Sequence, residues 1–208
     1  DTPVFIGGYQ IDMIRTDYPQ LSFCHNQDWP NNNILASLFC AEEHMSDGFV
    51  CTYADILYRS SVVQRALDHQ ADIVLCVGVD WRQRYFERSQ HPEEDAEKVV
   101  ADGDRVTRID RQMPSAEARG EYIGVAKFSQ TGAACLREHY HRVRREFAGR
   151  QWKGGTTFEK AYLIHLFEEM LDQSVSFHMV ATDGEYMEID TEEDYVLANE
   201  RWPREFGG

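Results

Sequence analysis

The chain has 208 residues, of which 42% are hydrophobic and 27% charged, and its formal net charge at pH 7 is −15. These values are typical of a globular protein, and no apolar run is long enough to span a bilayer. An acidic balance of this size argues against non-specific nucleic-acid binding, which needs a basic surface. We therefore expect neither nucleic acid nor a membrane among the partners.

The cysteines are dispersed along the chain and include no CxxC pair. An odd number of cysteines in apolar settings is typical of reduced core thiols and of a cytoplasmic protein. The same lack of short ligand spacing argues against a zinc site. The five positions are Cys24, Cys40, Cys51, Cys76 and Cys135.

The first half of the chain alternates between strand-like and helix-like segments. Apolar runs predict strands near residues 2–8, 21–25, 49–55 and 71–79. Apolar residues at helical spacing predict helices near residues 34–45 and 60–69. Strands that alternate with helices in this way call for a parallel sheet with right-handed crossovers.

The second half begins with a hairpin signal, Asp102-Gly103-Asp104, between strands near residues 98–101 and 105–109. A further strand is predicted over residues 120–128. The remaining segments predict two helices, a strand and a closing helix, near residues 130–148, 157–173, 176–181 and 192–202. Since the sequence has no internal repeat and no Pro/Gly-rich linker, we expect one domain.

The segment from Phe49 to Tyr58 is the one around which the other segments are arranged. Its apolar run ends in the carboxylate of Asp55, and Ser60-Ser61 then signals a helix start. A buried parallel strand of this kind delivers an acidic side chain to the carboxyl edge of an α/β sheet, where such folds bind ligands. A second acidic cluster, with Glu188 and Asp190, follows far downstream. If the fold brings the two together, their oxygens suit Mg²⁺.

Five motifs occur in one order along most of the chain: GGYQIDMIR, NNNILASL, GFVCTYADILY, GEYIGVAKFS and YMEIDTEEDY. In these motifs the chain resembles the nucleotidyltransferases of the sugar-nucleotide and phosphocholine cytidylyltransferase type. It is most similar to the cytidylyltransferase domains for small phosphonates, some of which are fused to phosphoenolpyruvate mutase. The resemblance implies an α/β fold of the nucleotide-diphospho-sugar transferase type, with a Rossmann-like mixed, mostly parallel sheet flanked by helices.

The resemblance also implies a reaction, in which CMP passes from CTP to a small phosphonate or phosphomonoester and pyrophosphate is released. Phosphocholine, a sugar phosphate and an inositol phosphate are alternative acceptors within the same class. A mutase domain, fused to this chain or associated with it, is an implied partner. Asp55 and Asp190 are the implied Mg²⁺ ligands, with Glu188 as a third, and Asn33 and Ser37 the implied nucleotide contacts.

Each of these roles has a structural alternative. Asp55 and Asp190 also suit the first turn of a helix, and Asn33 is equally well explained as a helix cap. Arginine forks suit phosphonate oxygens and aromatic rings suit small alkyl or ammonium groups, but a solvated loop and the core are their alternatives. His91, which has no partner at ligand spacing, is assigned no role. The predicted acceptor residues are Arg82, Arg88, Tyr122, Lys153 and Tyr186.

One departure from the family concerns the nucleotide triphosphate. The family opens with a strand and a glycine-rich loop whose backbone N–H groups hold the phosphates, and nothing of that kind precedes Asp1 or occurs later. We expect residues 1–208 to form a single nucleotidyltransferase domain without that strand and loop, either as a fragment or completed from outside. A non-catalytic nucleotide-binding or assembly domain of a larger enzyme is the second interpretation.

Overall fold

The computed structural model describes residues 2–86 and 88–206 of the chain. The strands, numbered in chain order, are β1 Val4–Gly7, β2 Ser22–His25, β3 Phe49–Thr52, β4 Ile56–Tyr58, β5 Ile73–Gly78, β6 Lys98–Asp102, β7 Arg105–Asp110, β8 Gly120–Phe128, β9 Phe177–Thr182 and β10 Tyr186–Glu188. The α-helices are α1 Ile11–Asp17, α2 Ile34–Phe39, α3 Ser60–Asp68, α4 Trp81–Tyr85, α5 Gln130–Phe147, α6 Leu163–Asp172 and α7 Glu192–Phe206. Short 3-10 turns lie at Glu42–His44, Glu93–Asp95, Lys153–Gly155 and Phe158–Lys160. Within these ranges no helix is long and apolar enough to cross a membrane.

Packing divides these elements into two compact units. Unit 1 comprises the chain up to Asp47 together with Ala133–Met170, and unit 2 comprises Gly48–Gly132 and the chain from Leu171 onward. Unit 1 is mostly helical, whereas unit 2 contains most of the strands. The single nucleotidyltransferase domain expected from the sequence stays a prediction.

Unit 1 contains a two-stranded parallel sheet, in which Val4 of β1 pairs with Ser22 of β2. Helix α2 packs against β1 and is capped by Asn33, whose side-chain oxygen accepts a hydrogen bond from the Ile34 N–H over 2.8 Å. The helix ends at Phe39, earlier than predicted, and the turn Glu42–His44 follows it. The apolar stripe predicted for one helix is therefore divided between two elements.

Unit 2 is built on a six-stranded sheet with the order β3-β8-β5-β9-β7-β6. The β5–β9 pair is parallel, whereas the other four neighbouring pairs are antiparallel. Strands β3, β5, β9 and β6 share one direction, and β8 and β7 oppose them. The predicted mixed sheet of an α/β fold is confirmed, but the expectation that it is mostly parallel is wrong, because β5–β9 is the one parallel pair among the five neighbouring pairs of this sheet. The predicted parallel pairing of successive strands is wrong for β3 and β5, because the later strand β8 inserts between them.

The middle of this sheet forms the core of unit 2. Every residue of β5 is buried, and α3 covers the sheet with Val62 and Ala66, which are also buried. Strand β8 has its predicted bounds, and it carries a bulge where Gly124 has a φ of +73° and the register against β5 shifts. A side chain at Gly124 would meet the Tyr53 ring at 2.5 Å. The missing side chain at Gly124 therefore leaves room for the Tyr53 ring.

Three predicted segments differ from the structure. The strand expected over residues 49–55 ends at Thr52 and is a half-buried strand at the edge of the sheet. The helix expected over residues 157–173 begins only at Leu163, because the backbone at Ala161 is extended. The loop expected after β5 contains the short helix α4, on which Trp81 and Tyr85 are buried.

The prediction that the cysteines lie in the core is confirmed for some of the five. Cys24 and Cys76 are buried, and Cys51 and Cys135 are half-buried. The expectation is wrong for Cys40, which is exposed just beyond the end of α2. In the described part of the chain, none of the five cysteines forms a disulfide.

Candidate functional site

A two-stranded ribbon brings the two predicted acidic segments together in unit 2. In this ribbon β4 pairs antiparallel with β10, so that Ile56 lies opposite Glu188. The Ile189 N–H donates to the Asp55 carbonyl over 2.9 Å, which extends the pairing by one residue on each chain. Asp55 and Asp190 therefore leave the ribbon at the same end.

The carboxyl groups of Asp55 and Asp190 are close enough to interact electrostatically. Desolvation raises the pKa of Asp55 above its ordinary value, and the Asp190 carboxylate raises it further. Both residues keep contact with solvent. The structure thus brings the pair together, but Asp55 lies in the turn between β3 and β4, so the prediction that it ends a buried parallel strand is wrong.

Arg88 binds three acidic side chains and is almost completely buried, with 7% of its side chain exposed. Its Nε and Nη2 donate to the two carboxylate oxygens of Asp194 over 2.7 and 3.0 Å, a bidentate arrangement. Nη2 also donates to Asp190 over 2.9 Å, and Nη1 donates to Glu188 over 3.2 Å. Desolvation opposes the charge of Arg88, but the carboxylates outweigh it and raise the pKa of the guanidinium. The sequence predicts that Arg88 contacts the acceptor substrate, whereas its hydrogen-bond partners in the structure are carboxylates of the protein.

Asp194, which has no role in the sequence prediction, holds the start of α7. Its N–H donates to Thr191 Oγ1 over 3.2 Å, and its Oδ2 accepts from the Thr191 N–H over 3.0 Å, which is a capping box. The same oxygen accepts from the Asp190 N–H over 3.1 Å. Burial opposes ionisation of Asp194, but hydrogen bonds from Arg88 and Thr191 outweigh it and lower the pKa. The three-residue spacing of Thr191 and Asp194 is the sequence signal for this cap.

The side chains of Asp55, Glu188, Asp190 and Asp194 form an acidic cluster, and His91 lies beside it. Its Nε2 is 3.5 Å from Asp190 Oδ2, and its ring stacks on Tyr85 with centroids 5.8 Å apart. Three atoms that could ligate a metal lie within 4.8 Å of one another, one each from His91, Glu188 and Asp190. Burial raises the pKa of Glu188, and the charge of Glu121 raises it further. No short spacing in the sequence connects His91 with these partners, so sequence reasoning missed it.

Two more carboxyl groups of unit 2 are bound by tyrosine hydroxyls. The Tyr53 hydroxyl donates to Glu97 over 3.2 Å, and those of Tyr85 and Tyr186 donate to the two oxygens of Glu121 over 2.5 and 3.2 Å. Desolvation raises the pKa of Glu97 to about 7 and also raises the pKa of Glu121. The acidic residues of this region therefore carry less negative charge near neutral pH than their number suggests.

The other predicted acceptor residues of unit 2 have different surroundings. Arg82 is exposed, its Cζ lies 5.3 Å from the centroid of the Trp81 ring, and its Nε is 3.8 Å from Glu93. Tyr122 and Tyr186 are 1% and 0% exposed, so the structure gives both rings core positions. Of these three side chains, Arg82 is the one with surface available to a ligand.

Three predicted ligand residues belong to unit 1. Asn33 caps α2, which is the alternative role that its sequence context offers. Ser37 accepts a hydrogen bond from Asn26 over 2.7 Å, and Lys153 Nζ lies 3.2 Å from Glu168. The nucleotide contacts of Asn33 and Ser37 and the acceptor contact of Lys153 stay predictions.

The chain is similar to several known proteins, although no model of a known protein family matches it. A CTP:phosphoglutamine cytidylyltransferase from Campylobacter jejuni is 23% identical over 206 residues, which cover 94% of this chain and 80% of that protein. The inositol-1-phosphate CTP transferase from T. maritima has a TM-score of 0.64 at 17% identity, over 93% of this chain and 71% of that one. A CTP:phosphocholine cytidylyltransferase from Streptococcus pneumoniae has a TM-score of 0.66 at 16% identity, over 96% and 77%.

The likeness to these structures shows the fold of the chain. The fold is that of the nucleotide-diphospho-sugar transferases, as the motifs predict. The predicted resemblance to nucleotidyltransferase enzymes is confirmed, since a curated enzyme of that type is 23% identical to this chain and solved enzymes of that type share its fold. Within that class, the three relatives named above are all cytidylyltransferases or CTP transferases.

Proposed function

We propose that the protein is a cytidylyltransferase that transfers CMP from CTP to a small phosphonate or phosphomonoester. An acceptor oxygen forms a bond to the α-phosphorus of CTP, the bond from that phosphorus to the bridging oxygen breaks, and pyrophosphate leaves. The observation that carries the proposal is the meeting of Asp55 with Asp190 at one end of the β4–β10 ribbon. Relatives that act on CTP support the choice of nucleotide.

The acidic cluster fits Mg²⁺ by the chemistry of its donor atoms. Asp55 and Asp190 would hold the ion, with Glu188 as a third ligand, and all three offer the oxygen atoms that Mg²⁺ prefers. Both aspartates are exposed, so a nucleotide-bound ion has access to them. When bound, Mg²⁺ neutralises charge between two anionic reactants.

Two arginines of the protein reduce the electrostatic cost of binding two anionic substrates, CTP and the acceptor. Arg88 offsets part of the negative charge of Glu188 and Asp190, and the capping box holds the backbone N–H of Asp190. Arg82 is our candidate for binding the anionic group of the acceptor, because its planar fork is exposed. No general base is required, because a phosphonate or phosphomonoester oxygen is already ionised near neutral pH.

The test measures pyrophosphate release by the full-length protein from CTP and a panel of acceptors: a small phosphonate, phosphocholine, an inositol phosphate and a sugar phosphate. We expect release with CTP and one acceptor class, abolished by chelation of Mg²⁺. No release from any pair would overturn the proposed reaction. Release that is undiminished after chelation would overturn the role of Mg²⁺. Calorimetry with MgCTP adds a direct reading, since an assembly domain would show no metal-dependent binding.

A further inference from the structure

A second group of metal-ligating side chains lies in unit 1. Cys24 comes from β2, and Glu43 and His44 come from the 3-10 turn Glu42–His44. The Cys24 sulfur, a carboxylate oxygen of Glu43 and an imidazole nitrogen of His44 all lie within 4.8 Å of one another. None of the three has a part in the proposed transfer reaction.

Two elements of unit 1 hold these donors in place. Strand β2 pairs along its length with β1, and Cys24 is 9% exposed. The turn is anchored by its first residue, Glu42, whose carboxylate accepts from Arg137 Nε over 2.9 Å and lies 2.7 Å from His141 Nε2. The two donors that follow Glu42 in the turn are thereby kept beside the thiol.

The spacing of the cysteines predicts no zinc site, but the fold brings Cys24 near ligands of other types, and we propose that Cys24, Glu43 and His44 form a binding site for Zn²⁺. Thiolate sulfur, imidazole nitrogen and carboxylate oxygen are the ligand types that Zn²⁺ takes in proteins, and three protein ligands leave one position for water. Ligand atoms around a tetrahedral zinc lie about 3.5 Å apart, given bonds of about 2.0–2.3 Å. The side chains of His44 and Glu43 are 43% and 80% exposed, so both are free to make the small rotation that closes this distance.

The charges of the site also suit a divalent ion. Binding releases the thiol proton of Cys24 to solvent, and the thiolate and the Glu43 carboxylate then balance the two positive charges of Zn²⁺. The sulfur ligand favours zinc over Mg²⁺, which prefers oxygen alone. The site therefore differs in selectivity from the acidic cluster of unit 2.

A simple surface ion pair explains only part of this arrangement. Glu43 and His44 are 3.6 Å apart, and exposed pairs of that kind are common. The thiol is the feature that such a pair leaves unexplained, because Cys24 belongs to another element and its sulfur lies within 4.8 Å of ligand atoms of both residues. Burial raises the pKa of Cys24, and the Glu43 charge raises it further, which places that carboxylate beside the sulfur.

The test uses Co²⁺ as a spectroscopic substitute for Zn²⁺, with the full-length protein in excess Mg²⁺ so that the acidic cluster is occupied. A thiolate bound to Co²⁺ gives a charge-transfer absorption in the near ultraviolet, whereas carboxylate and imidazole ligands do not. We expect an equimolar amount of Co²⁺ to produce this band and an equimolar amount of Zn²⁺ to remove it. Failure of the wild-type protein to give the band would overturn the proposal.

Variants locate the site. Cys24→Ser is expected to abolish the band, and His44→Ala and Glu43→Gln, at exposed side chains, to weaken Zn²⁺ binding by about tenfold or more. Cys40→Ser is the matched control, an exposed thiol outside the trio that nevertheless interacts electrostatically with Cys24. It is expected to keep the band. A band that survives Cys24→Ser, wild-type affinity in both surface variants, or loss of the band in Cys40→Ser would each overturn the assignment.

Discussion

The two clusters of metal-ligating groups differ in how they are stabilised without an ion. In unit 2 the carboxylates of Glu188, Asp190 and Asp194 share the guanidinium of Arg88. In unit 1 the thiol of Cys24 stays neutral by keeping its proton. Oxygen ligands suit a hard ion such as Mg²⁺, and a sulfur ligand suits a softer ion such as Zn²⁺. Charge is thus neutralised by a partner side chain in unit 2 and by protonation in unit 1.

The largest expected effect comes from removing a charge from the acidic cluster. Asp55→Asn and Asp190→Asn are each expected to lower turnover about a thousandfold or more, because the charge stabilisation that a metal supplies is worth several kcal/mol. Pyrophosphate release measures this effect. Thermal unfolding should stay near that of the wild type, since both side chains reach solvent.

Two controls sharpen this prediction. Asp183→Asn, at an exposed carboxylate one residue beyond β9, should keep wild-type activity. The Asp190→Asn variant should still form the thiolate–cobalt band, because the sulfur ligand belongs to unit 1. Full activity in both Asp55→Asn and Asp190→Asn would remove the metal assignment.

Replacing Arg88 tests whether its guanidinium stabilises the acidic cluster of unit 2. Arg88→Met leaves Glu188 and the buried Asp194 without their partner, and breaking a buried pair costs about 3 kcal/mol. Chemical denaturation should show this loss in the free energy of unfolding, and added Mg²⁺ should restore part of it. Arg82→Met, at an exposed arginine, is the control and should change stability by less than about 0.5 kcal/mol. Equal stability of the two variants would contradict the assigned role of Arg88.

Glu185, a carboxylate outside both clusters, predicts how the free energy of unfolding depends on pH. Glu185 accepts hydrogen bonds from Arg65, from Ser61 over 2.6 Å and from Thr182 over 3.3 Å, and these partners, Arg65 first, lower its pKa. Its folded pKa is thus below its unfolded pKa, so its stabilising effect is complete above the unfolded pKa and is lost as pH falls through the folded one. Glu185→Gln should cost about 1 kcal/mol near neutral pH, a value discounted because the Arg65 side chain is 37% exposed.

The measurement is urea denaturation as a function of pH. The difference in the free energy of unfolding between wild type and Glu185→Gln should shrink below about pH 4.3, which is the ordinary pKa of a glutamate. Glu200→Gln, at an exposed position of α7, is the matched variant and should differ from wild type by less than about 0.5 kcal/mol. A difference that grows as the pH falls would have the wrong sign.

The smallest expected effect is at the cap of α2 in unit 1. Asn33→Ala should cost about 1 kcal/mol in the free energy of unfolding, and Asn33→Ser should recover most of it, because serine also caps helices. The KM for CTP then separates the two roles of Asn33. A KM that stays raised in Asn33→Ser would support the predicted nucleotide contact, since the cap has been restored.

Elements with a local signal were predictable in detail. The bounds of β8 match the predicted strand, and the turn at Asp102-Gly103-Asp104 joins β6 and β7 as expected. Helix α7 starts directly after Thr191, and Asn33 caps α2. These features depend on residues close in sequence, whose spacing alone determines which hydrogen bonds form.

Pairings between distant segments were predictable only in part. The family motifs singled out Asp55 and Asp190, and the structure brings the two together. The position of β8 between β3 and β5 was missed, because the order of strands depends on which distant segments pair. The ion pairs of Arg88 were missed for the same reason. Its partners Asp190 and Asp194 lie far downstream in the sequence, and no spacing rule connects them with Arg88.

The class of fold, the local elements and the family resemblance were predictable from the amino-acid sequence, because all three depend on short-range patterns of residues. The ion pairs of Arg88 with the acidic cluster and the approach of Cys24 to Glu43 and His44 became visible in the folded chain alone. Side chains far apart in the chain come into contact through strand pairing and packing, and no periodicity or spacing within a segment encodes those contacts.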